Sequence, residues 1–232
     1  MKLSIVVPVY NEAAFLDAVL ERIRAVRFPE GVTTELVVVD DCSTDGTGEK
    51  LAKWESKGVR VVRRPVNQGK GAALRAGFAA ATGDAVVVQD ADFEYDPGDL
   101  PALLRPILND EADVVYGARR DYLRGRFTFH SAVNRFLTAL SNLTTGLALT
   151  DMECCYKMFR RDLIARIRLC ENRFGFEPEF TAKAARLRPR PRFLELPVSY
   201  SPRGYEEGKK INWKDGVSAL RCIVRYGFGR IS

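Results

Sequence analysis

Residues 3–47, LSIVVPVYNEAAFLDAVLERIRAVRFPEGVTTELVVVDDCSTDGT, decide the fold class. Leu3–Val9 is a short, Val-rich apolar run that stops at polar residues, which reads as a buried strand. Glu12–Arg27 then carries apolar residues at helical spacing, and Leu36–Asp40 is a second Val-rich run. Strand, helix and strand in that order form a βαβ unit, because parallel neighbours need a crossover connection. The rhythm continues outward. Val59–Arg63, Ala85–Asp90 and Val114–Gly117 read as further strands, and Thr47–Lys57, Lys70–Ala81 and Leu100–Leu108 as helices, with Pro101 tolerable in a first turn. An α/β protein with a mostly parallel sheet, covered by helices on both faces, is predicted.

Beyond Gly117 the pattern changes. Phe127, Phe129, Val133, Phe136, Leu137, Leu140, Leu143 and Leu147 lie near helical spacing and predict one long or two broken amphipathic helices. A strand at Tyr156–Phe159, a short helix from Asp162 to about Leu169, a helix around Glu177–Arg186 and a strand at Arg192–Val198 follow. The basic stretch Ser201–Lys210 leads to a last helix from about Trp213 to Phe228. No repeat or linker-like composition divides the chain, so residues 1–232 read as one domain. The change of pattern marks off 1–120 from 121–232 within it.

The 232 residues are 46% hydrophobic and 28% charged, an ordinary globular composition that excludes a disordered or fibrous chain. A net charge of +6 suits an anionic partner without choosing among phosphate, nucleic acid and membrane. Five cysteines without C-x-x-C spacing argue against a disulfide scaffold and a zinc ribbon, and fit a reducing cytoplasm. The N-terminal apolar run is too short for a signal peptide, and no stretch approaches the roughly 20 apolar residues of a membrane span. His130 is the only histidine, which removes Ser-His-Asp and Cys-His triads and multi-histidine metal sites. Any metal must therefore sit on carboxylates.

Open α/β sheets bind ligands beyond the carboxyl ends of their strands. Here those ends are polar: Tyr10-Asn11-Glu12, the block from Asp40 to Thr47, Asn67-Gln68-Gly69-Lys70-Gly71, and Asp90-Ala91-Asp92. Asp90, Asp92 and Glu94 alternate and can face one side, an oxygen-only set suited to Mg²⁺ or Mn²⁺ shared with substrate phosphates. A solvated acidic loop is the competing reading, and an EF-hand is excluded because Tyr95 stands where the loop needs glycine. Gly69-Lys70-Gly71 opens a helix and either meets phosphate or makes a tight turn against the sheet. Neither G-x-G-x-x-G nor a P-loop is complete, so a Rossmann dehydrogenase and a P-loop NTPase lose their support.

Taken together, VVPVYNE, DDCSTDGT, NQGKGAALRAGF and DADFEYDP in this order resemble family 2 glycosyltransferases with the GT-A fold. GARR at 117–120, TDMECCYKMFRR at 150–161, FGFEPEF at 174–180 and PVSYSPRGYEEGKKINWKDG at 197–216 resemble the polyprenyl-phosphate branch, which includes dolichol-phosphate mannosyltransferases. The resemblance implies that Pro8, Tyr10, Glu12, Asp40, Asn67, Gly69, Lys70, Asp90 and Ala91 bind the nucleotide sugar. It places the divalent ion on Asp90, Asp92 and Glu94. It implies an inverting, metal-dependent transfer of a hexose, GDP-mannose being the favoured donor and a UDP-sugar the alternative. Two departures bear on the donor: Glu94 stands where dolichol-phosphate mannose enzymes tend to have Gln, and Cys154-Cys155-Tyr156-Lys157 where they read C-G-[FY]-[RK].

A polyprenyl or dolichyl phosphate is already an anionic nucleophile, so such an enzyme must chiefly align two anions and neutralise their charge. Arg119, Arg126 and Arg203, with Lys209, are the candidates for the acceptor phosphate, because guanidinium groups bind phosphate bidentately. Asp151 matches a position where related enzymes place a catalytic carboxylate, and takes an orienting role here. Ser201–Lys210 would act as a lid that places Arg203 against the phosphates. The stretch 127–147 and the last helix would lie at a membrane interface, giving peripheral association on the cytoplasmic face. A sugar nucleotidyltransferase would want a Gly-rich turn where Pro8-Val9-Tyr10 stands, and a nucleic-acid module has no use for clustered acids at a strand end.

Overall fold

The computed structural model describes residues 1–119, 129–202 and 213–229. In chain order the elements are β1 (Lys2–Val9), α1 (Leu16–Ala25), β2 (Thr33–Asp40), α2 (Thr47–Glu55), β3 (Arg60–Arg63), α3 (Lys70–Ala80) and β4 (Ala85–Val88). After a 3₁₀ turn at Pro97–Asp99 come α4 (Leu100–Leu108), β5 (Val114–Ala118), α5 (Phe129–Thr145), β6 (Lys157–Arg160), α6 (Arg161–Ala165), α7 (Phe176–Ala185), β7 (Phe193–Pro197) and α8 (Trp213–Phe228). The strands form one sheet of order β3-β2-β1-β4-β6-β5-β7.

β1 pairs in parallel with both β2 and β4, β2 with β3, and β5 with β7. β6 alone runs the other way, antiparallel to β4 and to β5. The sheet is thus mostly parallel, as predicted, with one reversed strand between β4 and β5. Val86, Val87 and Val88 of β4 and Val37, Val38 and Val39 of β2 are fully buried, which their unbroken apolar runs dictate for strands covered on both faces. The small residues of α3 let that helix lie close to the sheet: a Cβ on Gly77 would overlap Val6.

The predicted helix from Glu12 begins only at Leu16. Residues 11–13 direct their amides to the end of β2 instead, the Glu12 amide to Thr47 Oγ1 at 3.1 Å and the Ala13 amide to Asp45 Oδ2 at 3.0 Å. The short helix predicted to about Leu169 ends at Ala165, where the Arg166 and Ile167 amides turn back to Leu163 and Ile164.

α7 is buried along its whole length, Glu177, Glu179 and Lys183 included. Glu179 makes this tolerable by pairing with Lys183 at 2.8 Å and accepting the Cys170 and Glu171 amides at 2.7 Å each. α8 lies on α7 and α5 and leaves Val217, Val224 and Phe228 exposed at 58%, 49% and 69%. No helix among the described residues is long and apolar enough to cross a membrane.

Candidate functional site

The first two strand ends are laced together. Asn11, at φ 51°, donates its amide to Ser43 Oγ at 2.9 Å and accepts the Thr44 amide at 2.8 Å. Asp45 accepts the Thr47 amide at 3.1 Å and its hydroxyl at 2.5 Å. Asp40, buried at the end of β2, accepts the Ser43 amide at 2.9 Å, so the loop folds back over the strand. Pro8 in β1 lies opposite Val39, while Tyr10 is half-buried and Glu12 buried beside them.

Asp41 fixes the third loop. Its carboxylate accepts the Gly69 amide at 2.6 Å and the Gln68 amide at 3.1 Å, and it pairs with Arg64 at 2.5 Å. Gly69, at φ 101°, leaves no room for a side chain: a Cβ would stand 2.8 Å from the Asn172 carbonyl. A Cβ on Gly71 would overlap the Glu171 carbonyl, and the Ala72 amide donates to Asn172 O at 3.0 Å. The glycines therefore serve a tight turn under the 171–173 loop. Lys70 projects from that turn to Asp90 at 2.9 Å and Glu177 at 3.3 Å. Burial opposes its charge, but Asp90, Cys155 and Glu177 together hold its pKa well above the ordinary lysine value. Asn67 is half-buried in the same loop and Ala91 is buried beside Asp90.

Among the described residues no three acids or other ligating side chains gather closely enough to hold a metal ion. Asp90 meets Lys70, Asp92 Oδ1 accepts the Glu94 amide at 3.0 Å, and Glu94 Oε2 accepts the Tyr200 hydroxyl at 3.0 Å. The alternation of Asp90, Asp92 and Glu94 therefore does not make a closed three-carboxylate cage. The donor set is nonetheless all oxygen, and a hard cation that retains water commonly takes only one or two carboxylates and completes its shell with phosphate oxygens.

Across β4 the chemistry changes. Asp151, with no exposed surface, takes Arg119 in a bidentate pair at 2.6 and 2.7 Å and also accepts the Arg119 amide at 3.1 Å and Asn134 Nδ2 at 2.9 Å. Burial alone would push its carboxyl up, and Arg119 with Asn134 outweighs this, leaving the pKa below the ordinary aspartate value. Asp151 orients Arg119. The guanidinium in turn lies over the Tyr200 ring at 5.1 Å, and Tyr200 reaches Glu94. Glu195 of β7 accepts the Thr150 and Asp151 amides at 2.8 and 3.0 Å and so fixes the loop that carries Asp151.

The fold thus brings Pro8, Tyr10, Glu12, Asp40, Asn67, Gly69, Lys70, Asp90, Ala91, Asp92 and Glu94 to one edge, with Arg119 and Asp151 beyond it. Arg126, Arg203 and Lys209, and the lid expected at 201–210 beyond Pro202, lie outside the described residues. Sequence reasoning missed the role of Asp41, although paired aspartates at a strand end send side chains in different directions. It also missed Glu195, whose signal was a charge between Leu194 and Leu196 in an otherwise apolar strand, and left Glu153 and Glu177 without roles. Asn142 of α5 clasps the loop that follows the helix, its side chain accepting the Leu149 amide and donating to the Leu149 carbonyl.

The model of glycosyl transferase family 2 matches residues 4–168. An undecaprenyl-phosphate 4-deoxy-4-formamido-L-arabinose transferase of Sodalis glossinidius is 34% identical over 90% of the chain and 62% of its own length. A dodecaprenyl-phosphate galacturonate synthase of Rhizobium johnstonii is 29% identical over 90% of the chain and 62% of its own. The chain therefore spans about three-fifths of the length of these curated relatives. A solved glucosyl-3-phosphoglycerate synthase of Mycobacterium tuberculosis, with Mn²⁺, UDP and phosphoglyceric acid, superposes at a TM-score of 0.75. It shares 22% identity, over 100% of this chain and 80% of that one. The same synthase solved with Mg²⁺ and UDP gives 0.73 at 25% identity, over 100% of this chain and 81% of that one. With this sheet order and these strand-end motifs, the chain belongs to glycosyl transferase family 2 and has the GT-A fold.

Proposed function

We propose that this chain is the catalytic part of an inverting glycosyltransferase that moves a sugar from a nucleoside-diphosphate sugar to a polyprenyl phosphate at a membrane surface. The observation that carries this reading is the pairing of a polar edge with a half-buried Arg119, oriented by Asp151, on the far side of β4. The names of the Sodalis and Rhizobium relatives, both polyprenyl-phosphate transferases, support the acceptor class. Arg119 is held by Asp151 and meets the acceptor phosphate. Arg126, Arg203 and Lys209 add charge to the same anion.

On the donor edge Pro8, Tyr10, Glu12, Asp40, Asn67 and Gly69 form the nucleotide subsite. Lys70 offsets diphosphate charge, and Asp90 and Asp92 hold Mg²⁺ or Mn²⁺, with Glu94 contributing from its Tyr200 contact. When bound, that ion stabilises the leaving nucleoside diphosphate. The acceptor phosphate attacks the anomeric carbon from the opposite face, so the configuration inverts and no side-chain base is needed. The chain's task is alignment and charge neutralisation. The exposed apolar stripe of α8, flanked by Arg221 and Arg225, lies on the anionic cytoplasmic membrane face as a peripheral contact.

For the donor, the resemblance to dolichol-phosphate mannosyltransferases favours GDP-mannose. The M. tuberculosis synthase solved with Mg²⁺ and UDP favours a uridine nucleotide as the second reading. Labelled GDP-mannose and UDP-sugars, incubated with Mn²⁺ and polyprenyl phosphate, decide both points. Label must enter the lipid extract with one nucleotide class; label only in free sugar, protein or polysaccharide refutes the acceptor.

A further inference from the structure

Two carboxylates without a role above lie between the donor edge and the Arg119–Asp151 pair. Glu177, in the first turn of α7, is 4% exposed. Its Oε1 faces Lys70, and its Oε2 is buried with no hydrogen-bond partner among the described residues. Glu153, two residues after Asp151, also has a buried oxygen, Oε1, without a partner. Burial first, then the charge of Glu177, pushes the Glu153 carboxyl up, against the pull of Lys157 and Arg119.

The cations nearby are committed. Lys70 serves both Asp90 and Glu177, Arg119 is closed on Asp151, and Lys157 donates to the Met152 and Cys154 carbonyls at 2.9 and 2.5 Å. Buried carboxylate oxygens left without donors are costly, so their retention points to donors that arrive with a ligand. The position says which ligand. The transferred sugar must lie between the donor diphosphate, on the Lys70 and Asp90 side, and the acceptor phosphate, on the Arg119 side. Glu177 is tied by Lys70 to the first and Glu153 by two residues of chain to the second. Glu153 is half-buried as a residue.

Resting on the glycosyltransferase reading above, we propose that Glu177 and Glu153 read the transferred sugar. They accept hydrogen bonds from its hydroxyl groups and reserve the site for a sugar that carries no carboxylate. Hydroxyl-to-carboxylate bonds are charge-assisted and directional. A uronic acid would instead set a further negative charge beside Glu177, whose neighbouring cation Lys70 is already engaged by Asp90.

The test uses the full chain with Mn²⁺ and undecaprenyl phosphate in detergent. UDP-glucose is compared with UDP-glucuronate, UDP-galactose with UDP-galacturonate, and GDP-mannose with its uronate. Transfer to lipid and thermal stabilisation by each nucleotide sugar over the bare nucleotide are both measured. A neutral sugar should be preferred over its own uronate by about tenfold or more in kcat/KM. Glu177→Gln should cut that preference at least several-fold, read as the ratio of each neutral sugar to its own uronate so that any change at Lys70 cancels between the two. If Glu177→Gln does not fold, Glu153→Ala, which removes a hydroxyl acceptor, should weaken the extra stabilisation by neutral sugars several-fold and so lower the same preference. A uronate bound and used as well as its neutral counterpart overturns the inference. So does unchanged selectivity in the folded variants. Binding preference for the neutral sugar without any transfer to lipid overturns only the acceptor reading and leaves this one standing.

Discussion

At the donor edge Asp40, Asp41, Asp45 and Asp92 each accept a backbone N–H from a neighbouring loop residue, whereas Asp151, across β4, is closed over by the Arg119 guanidinium. The first arrangement shapes loops. The second holds one cation in one direction inside the protein. An ion pair of that kind gains little over an apolar pair but is costly to break from one side. The difference separates loops held by single backbone bonds from a charge held in a bidentate pair.

Asp151→Ala is the most severe way to probe this contrast. It leaves the half-buried Arg119 unpaired, so denaturant unfolding should show a loss of up to about 3 kcal/mol. An unmoved midpoint would break the contrast, and Asp151→Leu combined with Arg119→Leu should recover stability but not transfer. Asp92→Ala acts the other way: transfer and Mn²⁺-dependent nucleotide binding should fall about a hundredfold or more with the fold intact. Asp90→Ala should follow closely, and Glu94→Ala should be milder. Normal turnover in Asp92→Ala would remove the metal from the donor edge.

Asp41→Ala sharpens the comparison because this acid is as buried as Asp151 and also pairs with an arginine, Arg64, but through one guanidinium nitrogen and beside two loop amides. Loss of its bonds to Gln68, Gly69 and Arg64 should cost about 1–3 kcal/mol and weaken nucleotide binding. A loss as large as that of Asp151→Ala would erase the distinction. The smallest effect belongs to Glu35, at the opposite end of the sheet. Burial pushes its carboxyl up, but bonds from Lys2, Ser4 and Thr82 outweigh this and bring it from 4.5 to about 2. Its folded pKa is depressed, so its contribution is complete above 4.5 and is lost as pH falls toward about 2. Glu35→Gln should flatten stability against pH in that window and leave transfer at neutral pH unchanged.

The donor half was legible because its information is local. Each Val-rich run ends in its own polar residues, and the placements of β1 to β4 and of Asp40, Asp90 and Asp92 follow from that. The far half was less so. Arg119 and Asp151 are separated by 32 residues and Thr150 and Glu195 by 45, and no spacing rule announces which charges will meet. The direction of β6 was equally hidden, since Tyr156–Phe159 reads as a buried strand whichever way it runs. Glycines at 69 and 71 suggested either phosphate binding or a tight turn, and only the 171–173 backbone lying against them distinguishes the two.

The late arrival of β6 also has a temporal consequence. Ribosomes deliver β5 about forty residues before β6, a delay of a few seconds at ~5–20 residues per second. Until β6 inserts, β4 and β5 cannot be bridged, because each pairs with β6 and not with the other. The nascent chain then carries a Val-rich edge, β4, with its backbone groups unpaired on one side, which is a template for aggregation. Chains released before Arg160 should therefore depend on chaperones and accumulate as insoluble material.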